Sequence, residues 1–405
     1  MRKIPEYGRF IPAEMDVDTL LFYAKIIETI QYIPSLQVLA MMPPNNLPAV
    51  DPLFSLSASG FVWAAGIEDT FIAQTERVGE RVLDEYALTN HYQYWRTDLD
   101  RAAGLGVNAL RYGIPWYKVE PQPGRFDWSW TDQVLNTAAE KGIAIIADLM
   151  HYGTPLWLEN QFLNSSYPQR VAAYEAEFAS RYSTILSHYT PMNEPLITMD
   201  FCGERGIWPP YLRGNDGAVK ILRQITRGVI LSAEAIRQAD PRAKIVHVEA
   251  AGEYVPDTEE AVGMCDFLTA RARLATDLIT GRVDEHHPLK PWLVENGFSE
   301  DDLAWYRERP VFLDVIGDNY YPDISVHRVR SFNGQWGIEN IWGGAEGLMR
   351  SVRDFVARYN RPVFISETSM NGTPAQRGRW LDDSIKAVTV MREQNVPLVG
   401  YTWWP

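Results

Sequence analysis

Residues 361–368 read Arg-Pro-Val-Phe-Ile-Ser-Glu-Thr, a short apolar run that closes on a carboxylate, Glu367. A second run of this kind, Tyr-Ser-Thr-Ile-Leu-Ser-His-Tyr-Thr at residues 182–190, leads into Pro191-Met192-Asn193-Glu194-Pro195. Short β-branched and apolar runs bounded by polar residues indicate strands. In α/β proteins, functional carboxylates stand at the C-terminal ends of parallel strands. The two glutamates therefore locate both the fold and a candidate site.

The remainder of the sequence alternates short apolar runs with longer amphipathic ones from about residue 60 onward. The apolar runs predict eight strands, at residues 60–65, 107–112, 143–149, 185–190, 244–249, 312–317, 362–366 and 397–403. Helical patterns lie between them, at residues 95–105, 130–141, 168–182, 217–239, 346–359 and 380–394. Eight strands separated by helices imply a parallel sheet that closes on itself. The predicted fold class is therefore α/β, a (β/α)8 TIM barrel.

Two segments lie outside this alternation. Residues 1–58 lack the pattern, and we expect them to form an extension packed on a catalytic barrel of residues 59–405. A separate folding domain of that size is the less favoured alternative. Residues 284–309 are long and contain His-His-Pro, which predicts an insertion before the sixth strand.

The end of the sequence predicts that an eighth helix is missing. The chain runs only two residues, Trp404 and Pro405, past the eighth predicted strand. A barrel strand left uncovered exposes a large apolar face. Either a helix from the N-terminal segment covers that face, or the chain continues beyond Pro405. We favour the second alternative.

The composition is that of a globular protein, with 405 residues, 46% of them hydrophobic and 22% charged. The formal net charge is −14, and no basic cluster is concentrated enough to override it. Such a field repels nucleic acid and anionic lipid but does not penalise a neutral small molecule. The sequence therefore predicts neither a nucleic-acid nor a membrane partner, and it leaves homo-oligomer formation open.

The location predicted from the sequence is cytoplasmic. Met1-Arg2-Lys3 is not followed by the apolar core of a secretory signal. The apolar stretch at residues 20–42 is interrupted by charged residues and proline, so it does not predict a membrane span. A chain of this length needs no disulfide, and we expect Cys202 and Cys265 to be reduced, although a bond between them remains open.

Four further segments end at the same predicted barrel mouth. They are Leu-Arg-Tyr-Gly-Ile-Pro-Trp at residues 110–116, Asp-Leu-Met-His-Tyr-Gly at 148–153, Asp-Asn-Tyr-Tyr-Pro at 318–322 and Tyr-Thr-Trp-Trp at 401–404. Together with the two glutamates, their order and spacing resemble glycoside hydrolase family 1, the retaining β-glucosidase-like enzymes. The resemblance runs from about residue 60 to Pro405 and is absent from the first 58 residues.

The resemblance implies a pair of catalytic carboxylates. Glu194, in Asn-Glu-Pro, matches the acid/base of the family, and Glu367, in Ser-Glu-Thr-Ser, matches its nucleophile. Arg111 and Tyr321 match the two residues that support the nucleophile, and a cation beside Glu367 is expected to hold it ionised. Glu194, away from that cation, is expected to stay protonated. Retaining chemistry requires the two carboxyls to lie about 5–5.5 Å apart.

The same resemblance implies a set of sugar-binding residues. Asn193 is expected to bond the sugar 2-hydroxyl, and His151 and Asn319 to contact the sugar in the same subsite. Strand alternation lets only one of Trp403 and Trp404 point into the barrel mouth, and counting from the Gly400 position favours the second as the platform. Each of these residues also has a purely structural interpretation, as a core or strand-end side chain.

The sequence departs from the family at the outer edge of the sugar site. Residues 65–69 read Ala-Gly-Ile-Glu-Asp, with glycine where the family has the glutamine that grips the outer hydroxyls. A Glu-Trp pair that the family carries beyond strand eight has no counterpart before the chain ends. Glu249 at the end of strand five and Glu253 just beyond it add carboxylates, for which substrate recognition and a structural role are both open. Catalysis is therefore predicted without a predicted sugar preference.

Three functions remain in competition at this point. The leading one is a retaining β-glycosidase that hydrolyses a small glycoside or oligosaccharide by double displacement. The second is a transglycosylase or glycosyltransferase that uses the same two glutamates with an acceptor hydroxyl in place of water. The third is a sugar-binding barrel without catalysis, which would not need a nucleophile. No metal or organic cofactor is implied, since the adjacent His286 and His287 are not spaced as zinc ligands.

Overall fold

The computed structural model of the protein describes residues 53–54, 60–73, 82–332 and 335–405. Its centre is a closed barrel of eight parallel strands in which each strand pairs with its neighbours in the chain and the last pairs with the first. The strands are β1 (Val62–Ile67), β2 (Ala109–Gly113), β3 (Ala144–Asp148), β4 (His188–Thr190), β5 (Lys244–Ala250), β6 (Val315–Asn319), β7 (Val363–Thr368) and β8 (Leu398–Trp403). The predicted (β/α)8 barrel is confirmed.

Seven long helices connect the strands and cover the barrel. They are α1 (His91–Gly104), α2 (Ser129–Glu140), α3 (Tyr167–Tyr182), α4 (Gly214–Ala239), α5 (Val262–Ile279), α6 (Gly344–Tyr359) and α7 (Pro374–Glu393). Shorter helices lie at Glu85–Leu88, Trp116–Val119, Pro195–Thr198, Lys290–Glu295 and Glu300–Glu308. The last two occupy the predicted insertion. Within the described residues, no helix follows β8.

Among the residues that the structure describes, two small sheets lie outside the barrel. Val326–Phe332 pairs antiparallel with Gln335–Ile341 and parallel with Glu253–Pro256, so that a hairpin after β6 meets the segment after β5. Phe71–Ile72 pairs with Leu83–Asp84 after β1. Both sheets therefore begin on segments that leave the C-terminal ends of barrel strands, and they build up that end of the molecule.

One long helix, α5, has no counterpart among the predicted helical patterns. Its second half, from Arg271 to Ile279, is buried on every side. A helix that is buried all round loses the apolar periodicity of 3.6 residues that reveals a surface helix. The missing signal therefore reflects the position of α5 between the barrel and the helices of the insertion.

The lower interior of the barrel is filled by apolar side chains that alternate along the strands. They are Val62, Ala64, Ala109, Ile146, Val246, Val248, Val315, Phe364 and Val399. Phe54 packs against them, with its ring 4.9 Å from that of Phe364 and 5.2 Å from that of His188. Apart from residues 53–54, the predicted extension of residues 1–58 lies outside the described residues, and it remains a prediction.

Cys202 and Cys265 are both free and buried. In the part of the chain that the structure describes, no helix combines the length and the apolar character that crossing a bilayer requires.

Candidate active site

Above the apolar filling, the interior of the barrel becomes polar at the C-terminal ends of the strands. Eight of the nine residues predicted from the sequence meet there: Arg111, His151, Asn193, Glu194, Asn319, Tyr321, Glu367 and Trp404. They come from β2, β3, β4, β6, β7 and β8 or from the loops that follow these strands. Only closure of the barrel brings them together.

Arg111 is the central cation of this cluster and is fully buried. Its Nη1 donates to Glu367 Oε1. Its Nη2 donates to Asp148 Oδ2 at 2.7 Å and to Asn193 Oδ1 at 2.6 Å. The guanidinium is therefore fixed by three acceptors from three strands, and two of them are carboxylates that compensate its burial.

Glu367 has both carboxyl oxygens occupied. Oε1 accepts from Arg111, and Oε2 accepts from the Tyr321 hydroxyl at 2.6 Å. Its backbone oxygen accepts from the Tyr320 N–H, which ties β7 to β6. The carboxylate therefore stands in one orientation at the barrel mouth, with one charged donor and one neutral donor.

A β-bulge in β7 aims Glu367 into the barrel. The pairing of β7 with both neighbouring strands shifts in register after Ile365. Phe364 points into the barrel, so strict alternation would turn Ser366 inward and Glu367 outward. With the shift, Ser366 donates to Asn319 Oδ1 at 2.6 Å and Glu367 also faces the interior. A bulge re-aims one side chain in this way.

Glu194 is held by neutral donors only. Asn319 Nδ2 donates to its Oε1 at 2.9 Å, and the Tyr152 hydroxyl donates to its Oε2. Its backbone is left-handed, with φ 43° and ψ 69°. A non-glycine residue in this region costs about 1–3 kcal/mol, so the surrounding structure must hold the turn.

The two glutamates belong to one electrostatic system. Burial raises the pKa of Glu194, and it raises the pKa of Glu367 to about 7, with Arg111 opposing the increase at Glu367. Arg111 therefore favours the ionised form of Glu367, whereas the loss of solvation on burial acts against that form. Since only Glu367 pairs directly with Arg111, the first proton that the two carboxyls bind goes to Glu194.

His151 lies between carboxylates on both sides. Its Nδ1 is 2.8 Å from Asp148 Oδ2, and its Nε2 is 3.4 Å from Glu68 Oε1 and 3.1 Å from Asn193 Nδ2. Burial lowers the pKa of His151, but Glu68 and Asp148 outweigh burial and raise it to about 10. At neutral pH the ring is therefore a cation that donates towards Glu68, and only the neutral ring accepts from Asn193.

Trp404 is the tryptophan that faces the site. Its ring stacks on His151 at 6.0 Å between centroids, and the Arg111 guanidinium lies 4.7 Å from it. A Cβ at Gly66 would overlap this ring, so the glycine at that position makes room for the indole. The Trp404 Nε1 donates to Glu68 Oε2 at 2.7 Å.

The structure contradicts the placement of Trp403 in the site. Trp403 pairs with Ala65 of β1 and packs with the outer core between the barrel and its helices. Successive side chains alternate across a strand, so the inward direction of Gly400 and Trp404 sends Trp403 outward.

Three residues of this cluster have no role in the predicted site. Asp148 joins Arg111 to His151, Tyr152 donates to Glu194, and Glu68 joins Trp404 to His151. All three lie in segments that end at the barrel mouth. Their positions at strand ends could have indicated that they belong to the site. Their residue types alone did not indicate a role.

The two carboxylates at the end of β5 and just after it lie elsewhere. Glu253 forms a bidentate pair with Arg350, at 2.7 and 3.0 Å, in the small sheet outside the barrel. Glu249 is fully buried, and because Val248 faces the barrel interior, alternation along β5 turns Glu249 to the outer side. Within the described ranges, no group of three or more His, Cys, Asp or Glu side chains is arranged to hold a metal ion.

Known proteins that are similar in sequence or in fold are glycosidases. A sequence profile of the family 42 β-galactosidases matches residues 88–189. Beta-glucosidase A of Thermotoga maritima is 24% identical over 354 residues, which cover 78% of this chain and 77% of that protein. A family 1 β-glucosidase structure from the same organism aligns with a TM-score of 0.71 and 21% identity over 78% of this chain and 77% of that chain.

A Thermotoga maritima β-glucosidase in complex with azafagomine aligns with a TM-score of 0.74, at 20% identity, over 85% of this chain and 88% of that chain. The structural likeness supports the TIM-barrel fold, and the sequence matches support the class of glycoside hydrolases. What the matched proteins share is the barrel and the glycosidase class.

Proposed function

We propose that the chain is a retaining β-glycosidase of the family 1 type, with Glu367 as nucleophile and Glu194 as acid/base. The observation that carries this proposal is the unequal environment of the two carboxyls. Glu367 accepts a hydrogen bond from a buried cation, the Arg111 guanidinium, whereas Glu194 accepts only from the neutral donors Asn319 and Tyr152. A retaining glycosidase needs one protonated carboxyl as the acid and one ionised carboxyl as the nucleophile. Different surroundings can hold two carboxyls in these two states.

In the first step, the ionised Glu367 attacks the anomeric carbon and the bond to the aglycone oxygen breaks. Glu194 gives its proton to that oxygen, so the aglycone leaves as a neutral alcohol. Tyr321 and Arg111 hold Glu367 in the attacking orientation. The product of this step is a covalent glycosyl-enzyme.

In the second step, Glu194 is a carboxylate and takes a proton from water. The water oxygen attacks the anomeric carbon, and the bond to Glu367 breaks. The carboxylate of Glu367 is restored, and Glu194 is protonated again. Two inversions at one carbon give net retention of the β configuration.

The substrate we propose is a small β-glycoside or oligosaccharide. Asn193, with its Oδ1 fixed by Arg111 and Asn319, and His151, with Glu68 beside it, are polar groups of the same cluster that do not bond either carboxyl. A carboxylate and an imidazolium side by side can accept from and donate to adjacent sugar hydroxyls.

A panel of chromogenic β-glucosides and β-galactosides, scored for hydrolysis and for transfer to an added alcohol, tests the proposal. The proposal expects the β-anomer as the first sugar product, observed by proton NMR before mutarotation. Release of the α-anomer would contradict it. Exclusive formation of transfer products would instead favour the transglycosylase alternative, which uses the same two glutamates.

A further inference from the structure

The turn that carries Glu194 is supported from β5. The Glu194 N–H donates to the Val248 carbonyl at 3.2 Å, and Asn193 forms a parallel bridge with the same residue. Immediately after Glu194 the chain enters the helix Pro195–Thr198. The left-handed backbone of Glu194 therefore lies between a strand contact and the first turn of a helix.

The first turn of any helix has N–H groups without an acceptor in the helix, and a side chain of the preceding residue usually accepts one of them. Pro195 has no N–H, so Leu196 carries the first amide that needs an acceptor. The Glu194 side chain does not cap the helix, because it bonds Asn319 and Tyr152 instead. The acceptor must come from elsewhere.

Glu249 supplies that acceptor. Its Oε1 accepts from the Leu196 N–H at 3.2 Å and from its own neighbour, the Ala250 N–H, at 2.9 Å. The side chain is fully buried. Its register partner on β6 is Asp318, which bonds Ser351 of the helix layer. Glu249 therefore lies on the outer side of the strand, beneath the turn and out of reach of a substrate.

The charged groups that face Glu249 are Glu194 and Arg273 of α5. Neither Glu249 Oε2 nor Arg273 Nη1 has a hydrogen-bond partner among the described residues. Burial raises the pKa of Glu249 to about 8, although the two backbone donors oppose the increase. Glutamine at this position would keep the shape of the side chain and its acceptor oxygen.

We propose that Glu249 is a positioning residue for the acid/base: by capping Leu196 from β5, it fixes the turn and leaves the Glu194 carboxyl free to face the aglycone oxygen. This inference rests on the proposed function of Glu194. In this proposal, β5 positions the proton donor through Glu249. Arg111 on β2 and Tyr321 after β6 position the nucleophile in the same way.

The dependence on the leaving group separates this role from a general contribution to folding. Dinitrophenolate departs from its β-glucoside without being protonated. The phenol of a phenyl β-glucoside needs a proton from the acid to leave. The test variants are Glu249→Leu and Glu249→Asp, which remove or withdraw the acceptor, and Glu249→Gln, which keeps it. Glu175→Leu, at a fully buried glutamate of α3, is the matched control.

Glu249→Leu and Glu249→Asp should lower kcat/KM for the phenyl β-glucoside at least about tenfold, because the Glu194 carboxyl is then misplaced. For the dinitrophenyl β-glucoside, kcat/KM should fall by less than about threefold. Glu249→Gln should keep the wild-type ratio of the two substrates. Glu175→Leu should change both substrates equally. Azide, added as a nucleophile that needs no base, should accelerate turnover of the dinitrophenyl substrate only in the two variants that lose the cap.

Equal losses on both substrates in Glu249→Asp, with no effect of azide, would overturn the inference. So would a Glu249→Gln variant as impaired as Glu249→Leu. Glu194→Ala distinguishes these outcomes from a failure of the proposed function. If Glu194→Ala itself shows no dependence on the leaving group, the acid/base assignment fails. If it does and Glu249→Asp does not, only the positioning role fails.

Discussion

Arg111 on β2 donates a hydrogen bond to Glu367 on β7, joining two residues that are 256 positions apart in the chain. Both side chains are buried, and each compensates the charge of the other. Removing one member of a buried ion pair leaves an uncompensated charge, which costs about 3–5 kcal/mol. This pair therefore links the stability of the barrel to the orientation of the proposed nucleophile.

Tyr321→Phe should move the acid limb of the pH profile upward. The nucleophile works as a carboxylate, so kcat/KM falls as the pH drops through the pKa of Glu367, which is about 7. Loss of the Tyr321 donor destabilises the carboxylate and raises that pKa by about one unit, since a hydrogen bond to a charge contributes about 1.5–3 kcal/mol. Profiles of kcat/KM against pH measure the shift. Tyr320→Phe, which loses a bond to Gly344 O instead, should leave the limb in place.

Glu68→Gln should lower the pKa of His151. Removing an anion beside an imidazolium destabilises the charged ring, so its pKa falls from about 10. NMR titration of labelled histidine measures this directly, and KM for the glycoside should rise about tenfold as one charge-assisted contact is lost. Glu253→Gln, in the small sheet outside the barrel, is the control. An unchanged His151 titration in Glu68→Gln would refute the coupling.

Gly66→Ala should destabilise the protein and impair the site together. The added methyl overlaps the Trp404 ring, which then moves away from Glu68 and His151. Overpacking of this kind costs about 1–3 kcal/mol. Thermal unfolding and kcat/KM report both effects. Gly104→Ala, at an open position at the end of α1, should be neutral or slightly stabilising.

The two tryptophans at the end of the chain should respond differently to Phe substitution. Trp404→Phe removes the donor to Glu68 and should lower kcat/KM about tenfold. Trp403→Phe changes packing on the outside of the barrel and should lower the melting temperature while kcat/KM stays within about twofold. If Trp403→Phe impaired kcat/KM as strongly as Trp404→Phe, the two orientations would be misassigned.

The barrel could be predicted from sequence because apolar runs and helical patterns alternate with little interruption. Strand closure then followed from the count of eight. Seven of the eight predicted strand starts lie one to three residues early, as at residues 312–317 against Val315–Asn319, and the predicted start of β5 at Lys244 is correct. Flanking apolar residues such as Phe312 extend the run without joining the sheet, and only backbone pairing decides where a strand begins.

Strand alternation is also why part of the site could not be predicted. Counting from Gly400 favoured Trp404, whose ring faces the site. The same counting from Phe364 would have turned Glu367 outward. The bulge that turns it inward depends on how β7 pairs with its neighbours, so the sequence of β7 alone does not predict it. Glu249 could not be assigned because its partner, the Leu196 N–H, belongs to another strand's loop.

In the proposed mechanism, Glu367 becomes covalently bonded to the sugar during turnover. Incubation with a fluorinated β-glucoside that forms a slowly hydrolysed glycosyl-enzyme, followed by mass spectrometry of peptides, measures this most directly. We expect a mass increase of one glycosyl group on the peptide that contains Glu367, and loss of that label in Glu367→Gln. An active enzyme that carries no label, or carries it on another residue, would rule out Glu367 as the nucleophile.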